Sequence, residues 1–153
     1  MSSLLFKAFR ENNGLTYYSG VLHPTREFNA PFFIYLSVSE KNALFTFNLL
    51  LSIWNDLLTK ELTNNELSLA KLKLKRSFLH SYRTLEEITF RKVRLLGLGM
   101  DPFYDEKAEN LINDMKSEKI LNVSKKYLIH PSLSLSGRKQ ICKKLEKIWK
   151  KRF

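Results

Sequence analysis

A single cysteine, Cys142, among 153 residues excludes an internal disulfide framework and fits a reducing compartment such as the cytoplasm. The apolar content of 44% is high enough to offset the entropy of ordering the chain, so disorder is excluded, and the length suits one soluble domain spanning residues 1–153. A net charge of +11 favours anionic partners and disfavours cationic ones.

The opening MSSLLFKAFRENNG has an apolar patch too short to span a bilayer, and it lacks the charged start, apolar middle and small-residue cleavage site of a signal peptide. Residues 3–9 read as the end of a helix that stops near Asn13-Gly14, because glycine takes the left-handed conformation that terminates helices. Residues 15–23 and 31–38 (PFFIYLSV) are rich in aromatic and β-branched side chains, and residues 24–30 supply turn formers between them. Together they predict an antiparallel hairpin with a loose connection.

Ser39 is placed to cap the next helix, on which Ala43, Phe47, Leu50, Leu51, Trp54 and Leu58 recur at helical spacing. Its apolar run, residues 43–54, is broken by Thr46, Asn48 and Ser52 and is too short for a transmembrane segment. Thr63 with Glu66, and Thr84 with Glu87, repeat a capping-box spacing that starts two further helices. The first of these runs to about Tyr82 with Leu67, Ala70, Leu74 and Phe78 on one face; the second ends at Gly97–Gly99. Helices are expected at about 104–115 and 117–127, a short strand at the alternating LSLS of 133–136, and a basic helix at about 138–152. The sum is an α+β fold, an antiparallel sheet with helices packed on one face.

Little of this composition suits catalysis by the chain itself. His23, His80 and His130 stand apart, with no pair at helical spacing and no glutamate at a useful offset, so the sequence predicts no metal site. Cys142 has no histidine near it in sequence, and Gly97-Leu98-Gly99 is too short for a phosphate loop and reads as a helix stop. The basic terminal helix carries Ile141, Leu145, Ile148 and Trp149 on one side. Its other side is either a solvated face or a contact for nucleic acid or an anionic surface.

The segment FRENNGLTYYSG, residues 9–20, sets Arg10 seven residues before Tyr17 across a glycine turn. Locally, Arg10 suits the C-terminus of the preceding helix and Tyr17 a sheet face, with Tyr18 on the opposite face. The same segment resembles a substrate-gripping element of the pitrilysin, insulin-degrading and mitochondrial processing peptidase family. In that family an Arg and a Tyr come from the half without zinc, and they match Arg10 and Tyr17. TNNELSLAKLKLKRSF and SEKILNVSKKYLIHPSLSLSG are similar to later segments of the same half, in the same order, so the likeness covers roughly residues 2–137. The family's zinc motif, H-x-x-E-H, is absent from the sequence.

The resemblance implies a half-unit of the pitrilysin-type peptidase fold that binds peptide substrate through Arg10 and Tyr17. It implies no cofactor in this chain, zinc in a partner half, and no peptidase activity from the chain alone. A full half in this family begins with a strand and a helix ahead of the point matching Met1. The sheet is therefore expected to present an edge to a zinc-bearing peptidase subunit or to a second copy.

Overall fold

The computed structural model describes residues 4–24, 29–81 and 84–153, the side chains of Leu4, Tyr17, Phe78, Leu79, His80 and Ser81 excepted. The fold is α+β, combining helices with a two-stranded antiparallel sheet among the described residues. Its elements group into two compact units. One comprises Met1–Leu22, Phe33–Lys60 and Leu121–Phe153, the other His23–Phe32 and Glu61–Ile120.

The first unit opens with an α-helical turn, Leu4–Phe6 (α1), that widens into a π-helical turn, Lys7–Glu11, as the Asn12 N–H donates to the Lys7 carbonyl at 2.9 Å. Gly14 stops it at φ 57°, and the Gly14 and Leu15 N–H groups close on the carbonyls of Arg10 and Phe9 at 3.0 and 2.7 Å. The strand Thr16–Leu22 (β1) then pairs antiparallel with Phe33–Val38 (β2). Part of the loose connection predicted for 24–30 lies outside the described residues. Along β2, Ile34, Leu36 and Val38 are half-buried while Phe33, Tyr35 and Ser37 are exposed, so the sheet has one covered face and one open face.

Behind Val38, Ser39 leads through a 3₁₀ turn, Glu40–Asn42, into Ala43–Thr59 (α2). The Ser39 hydroxyl makes no cap bond; its carbonyl takes the Asn42 N–H at 3.0 Å. Ala43, Phe47 and Leu51 of α2 form the core with Leu145 of the terminal helix Lys139–Lys150 (α7), and Ile141, Ile148 and Trp149 pack around them. Leu133 and Leu135 also pack here, which accounts for the alternating LSLS. The strand expected at 133–136 does not form, because that extended stretch finds no ladder partner among the described residues.

Thr46, only 1% exposed, leaves its hydroxyl without a hydrogen-bond partner among the described residues. A buried hydroxyl of this kind costs about 1–3 kcal/mol, so Thr46→Val, which keeps the shape and removes the polar atom, is expected to raise the urea midpoint. A lowered midpoint would mean the hydroxyl is satisfied.

In the second unit the two capping boxes start helices as their sequences require. Glu66 accepts from the Thr63 N–H at 2.9 Å ahead of Asn64–Ser81 (α3), and Thr84 and Glu87 exchange bonds of 3.1 Å ahead of Leu85–Gly97 (α4). Tyr82, the expected end of α3, lies outside the described residues. The apolar face predicted for α3 is not the one it buries. Ala70 and Leu74 are exposed, and the inward side instead carries Leu67 and Lys71, whose ammonium reaches the Asn113 carbonyl at 2.7 Å.

The stop of α4 is Gly99, at φ 69°, with the Gly99 and Met100 N–H groups closing on Leu96 and Leu95 carbonyls at 2.9 Å. This is the double-bonded glycine stop in which the left-handed residue sits just past the helix; Gly97 is still helical. Tyr104–Asn113 (α5) and Ser117–Tyr127 (α6) follow. Among the described residues no helix is long and apolar enough to cross a membrane.

Candidate functional site

Arg10 stands on the exposed side of the π turn, with its guanidinium carbon 5.1 Å from the centre of the Phe6 ring. Phe9 beside it is fully buried, and this helical segment packs against β1. Tyr17 falls where the pairing slips. Thr16 faces Val38 and Tyr18 faces Ser37, so Tyr17 is an extra residue, a β-bulge at the start of the strand. Its backbone lies on that bulge; its side chain is outside the described residues, and with it the expectation that Tyr17 and Tyr18 point to opposite faces.

The Thr16 hydroxyl accounts for the bulge. The buried Thr16 hydroxyl accepts the Tyr18 N–H at 3.1 Å and lies 2.6 Å from the Ser37 carbonyl and 2.8 Å from that of Tyr18, each within reach of its one hydrogen. A side chain thus replaces the ladder bonds that the extra residue interrupts. Bulges of this kind re-aim side chains next to binding sites, and this one falls on Tyr17, one of the two residues that the family likeness singles out.

Sequence reasoning did not anticipate the open face of the sheet. Tyr18 is 65% exposed and Tyr35 39%, and as diagonal neighbours across the strands their rings stand 5.3 Å apart. The space Tyr35 occupies exists because residue 20 is glycine. A Cβ there would come within 2.4 Å of the phenol oxygen, too close for any side chain unless Tyr35 moved. Leu22 and Phe33, also exposed and directly paired, extend the apolar surface. The alternation of Tyr18, Gly20 and Leu22 carried the signal, but only the register shows which residues share a side.

The charge interaction with Tyr18, followed by desolvation and a hydrogen bond with Tyr18, pushes the Tyr35 phenol above its ordinary value of about 10. A raised phenol pKa favours the folded state below that value, and the contribution is lost as pH rises through the shifted one. Tyr18→Phe is expected to lower the Tyr35 titration toward 10, read from its ring carbon shifts by NMR. An unmoved midpoint would remove Tyr18 as the cause.

Among the described residues no set of side chains fits a zinc site. His23 Nδ1 lies 3.2 Å from the Pro31 carbonyl, His130 is exposed, and His80 has its side chain outside the described residues. No group of three or more His, Cys, Asp or Glu side chains converges among the described residues. Cys142 is half-buried on α7. What the N-terminal piece offers chemically is a cation on a helical turn, a tyrosine backbone position on a bulge and, among the described residues, unpaired strand edges. No protein-family model matches this chain, and a search of curated proteins finds no match either.

Proposed function

We propose that the chain is a non-catalytic, peptide-binding half or fragment of a pitrilysin-type zinc metallopeptidase, assisting proteolysis by a zinc-bearing partner. The support is the path of residues 9–20. A buried Phe9 fixes a turn that carries Arg10, a left-handed glycine ends it, and the next strand begins with a bulge at Tyr17. That path agrees with the order in which the resembling family supplies its gripping Arg and Tyr. Among the described residues the sheet has two strands, so each also has one unpaired edge, to which an extended peptide can add as a further strand through main-chain hydrogen bonds. The guanidinium and phenol donate to a substrate carbonyl, strengthening as negative charge develops on it. The zinc chemistry belongs to the partner.

Assembly with an H-x-x-E-H peptidase subunit and peptide turnover by the pair test this together. Arg10→Ala is expected to lower kcat/KM of the pair by about 10- to 100-fold, the worth of one charge-assisted hydrogen bond. Tyr17→Phe should cost less, and neither should loosen assembly, measured by sedimentation. Turnover unchanged in both variants, or chelator-sensitive cleavage by this chain alone with zinc bound stoichiometrically, would refute the proposal.

A further inference from the structure

We propose that the solvent face of α7 binds the phosphate backbone of duplex nucleic acid without reading its sequence, an activity separate from peptide holding. Residues 138–152 hold eight basic side chains against Glu146 alone, a net +7 of the chain's +11. At 100° per residue, Lys139, Lys143, Lys144, Lys147, Lys150 and Lys151 fall within an arc of about 140°, on the side of the helix opposite Ile141, Leu145 and Ile148. All six are exposed. Lys150 is paired with Glu146, and the other five make no ion pair among the described residues. The row is about 18 Å long at 1.5 Å per residue, and a duplex of that length carries about ten phosphates.

Three features of this face select the partner. Its apolar side is already committed, since Leu145 is buried and Ile141, Ile148 and Trp149 pack on the α2 core. A helix that lies in a membrane interface must bury that side in lipid, which α7 could do only by leaving the core. The arc itself holds no aromatic ring; Trp149 and Phe153, with ring centres 4.4 Å apart, lie outside it. Single-strand binders stack bases on aromatic side chains, and nothing on this face would accept them. The cations are lysines, point charges without the planar fork that reads guanine edges, so phosphate contact is favoured over sequence readout.

Fluorescence anisotropy with the full chain and two labelled DNA duplexes of unrelated sequence tests this. Both should bind alike, with log K falling against log salt at a slope of about −5 if six phosphates are engaged. Replacing Lys139, Lys143, Lys144 and Lys147 by Gln should weaken binding at least about tenfold at low salt and reduce the slope by about 3 to 4. Removing four charges elsewhere, at Lys7, Lys73, Lys116 and Lys119, should change affinity by less than about threefold if position rather than net charge matters. Equal losses in the two quadruple variants would overturn the proposal. So would absent duplex binding, tighter binding to phosphatidylserine vesicles or a single strand, or equal binding to polyglutamate at the same salt.

Discussion

Phe9→Ala is expected to lower stability by about 3–5 kcal/mol, the usual loss when a fully buried phenylalanine is cut back to a methyl group. Phe9 is 0% exposed and is the largest wholly buried side chain among the described residues. Its carbonyl also receives the Leu15 N–H at 2.7 Å, so one residue both anchors the π turn and ties down the chain on the far side of Gly14. With the ring gone, the turn that carries Arg10 loses its contact with the interior, and the entry to the Tyr17 bulge loosens with it. Phe9→Leu keeps most of the volume and should lose less than about 1.5 kcal/mol. Urea unfolding measures both variants, and amide exchange of residues 9–18 reports the local loosening. A loss under about 1 kcal/mol for the alanine variant would show that the cavity collapses and that the turn is held by other means.

The parts of this fold that were legible in the sequence are those whose causes are local. Thr63 with Glu66 and Thr84 with Glu87 start helices through bonds that span three residues, and Gly14 and Gly99 end segments because only glycine takes those angles without strain. The hairpin was legible for the same reason, since its two strands are rich in aromatic and β-branched residues on either side of turn formers.

What escaped depends on partners distant in sequence. The bulge at Tyr17 needs the Thr16 hydroxyl to reach the Ser37 carbonyl, and no pattern within residues 9–20 announces that. The alternation of Leu133 and Leu135 reflects two side chains packed on the core and reads as a strand, but burial sets alternation whereas a strand also needs a ladder partner. The buried side of α3 follows from its packing on α5, where Lys71 caps the Asn113 carbonyl, and so differs from its most apolar stripe. Arg10 and Tyr17 were singled out by family likeness. The exposed Tyr18 and Tyr35 pair became visible only with the register.

Leu95→Ala is expected to destabilise the second unit by about 2–5 kcal/mol. Leu95 is 0% exposed, and it and Ile112 are the buried hydrophobic residues of that unit among those described, so little else compensates for a cavity. One turn earlier, Arg91 grips Asp105 with two bonds of 2.8 and 2.9 Å, fastening α4 to α5. These two devices are separate sources of stability in the second unit. The pair is about one-sixth exposed on each side, so solvent screens it in part, and removing Arg91 also strands a carboxylate that can be rehydrated. Arg91→Gln should therefore lose about 1–3 kcal/mol, less than the cavity variant. Leu95 bears a second duty, because its carbonyl accepts the Met100 N–H in the glycine stop, but that bond is made by the backbone and survives the substitution. Amide exchange resolved over residues 85–113 should thus show faster opening of α4 and α5 in Leu95→Ala while the Gly99 stop keeps its geometry. A larger loss for Arg91→Gln than for Leu95→Ala would make the ion pair, and not apolar burial, the principal source of stability here.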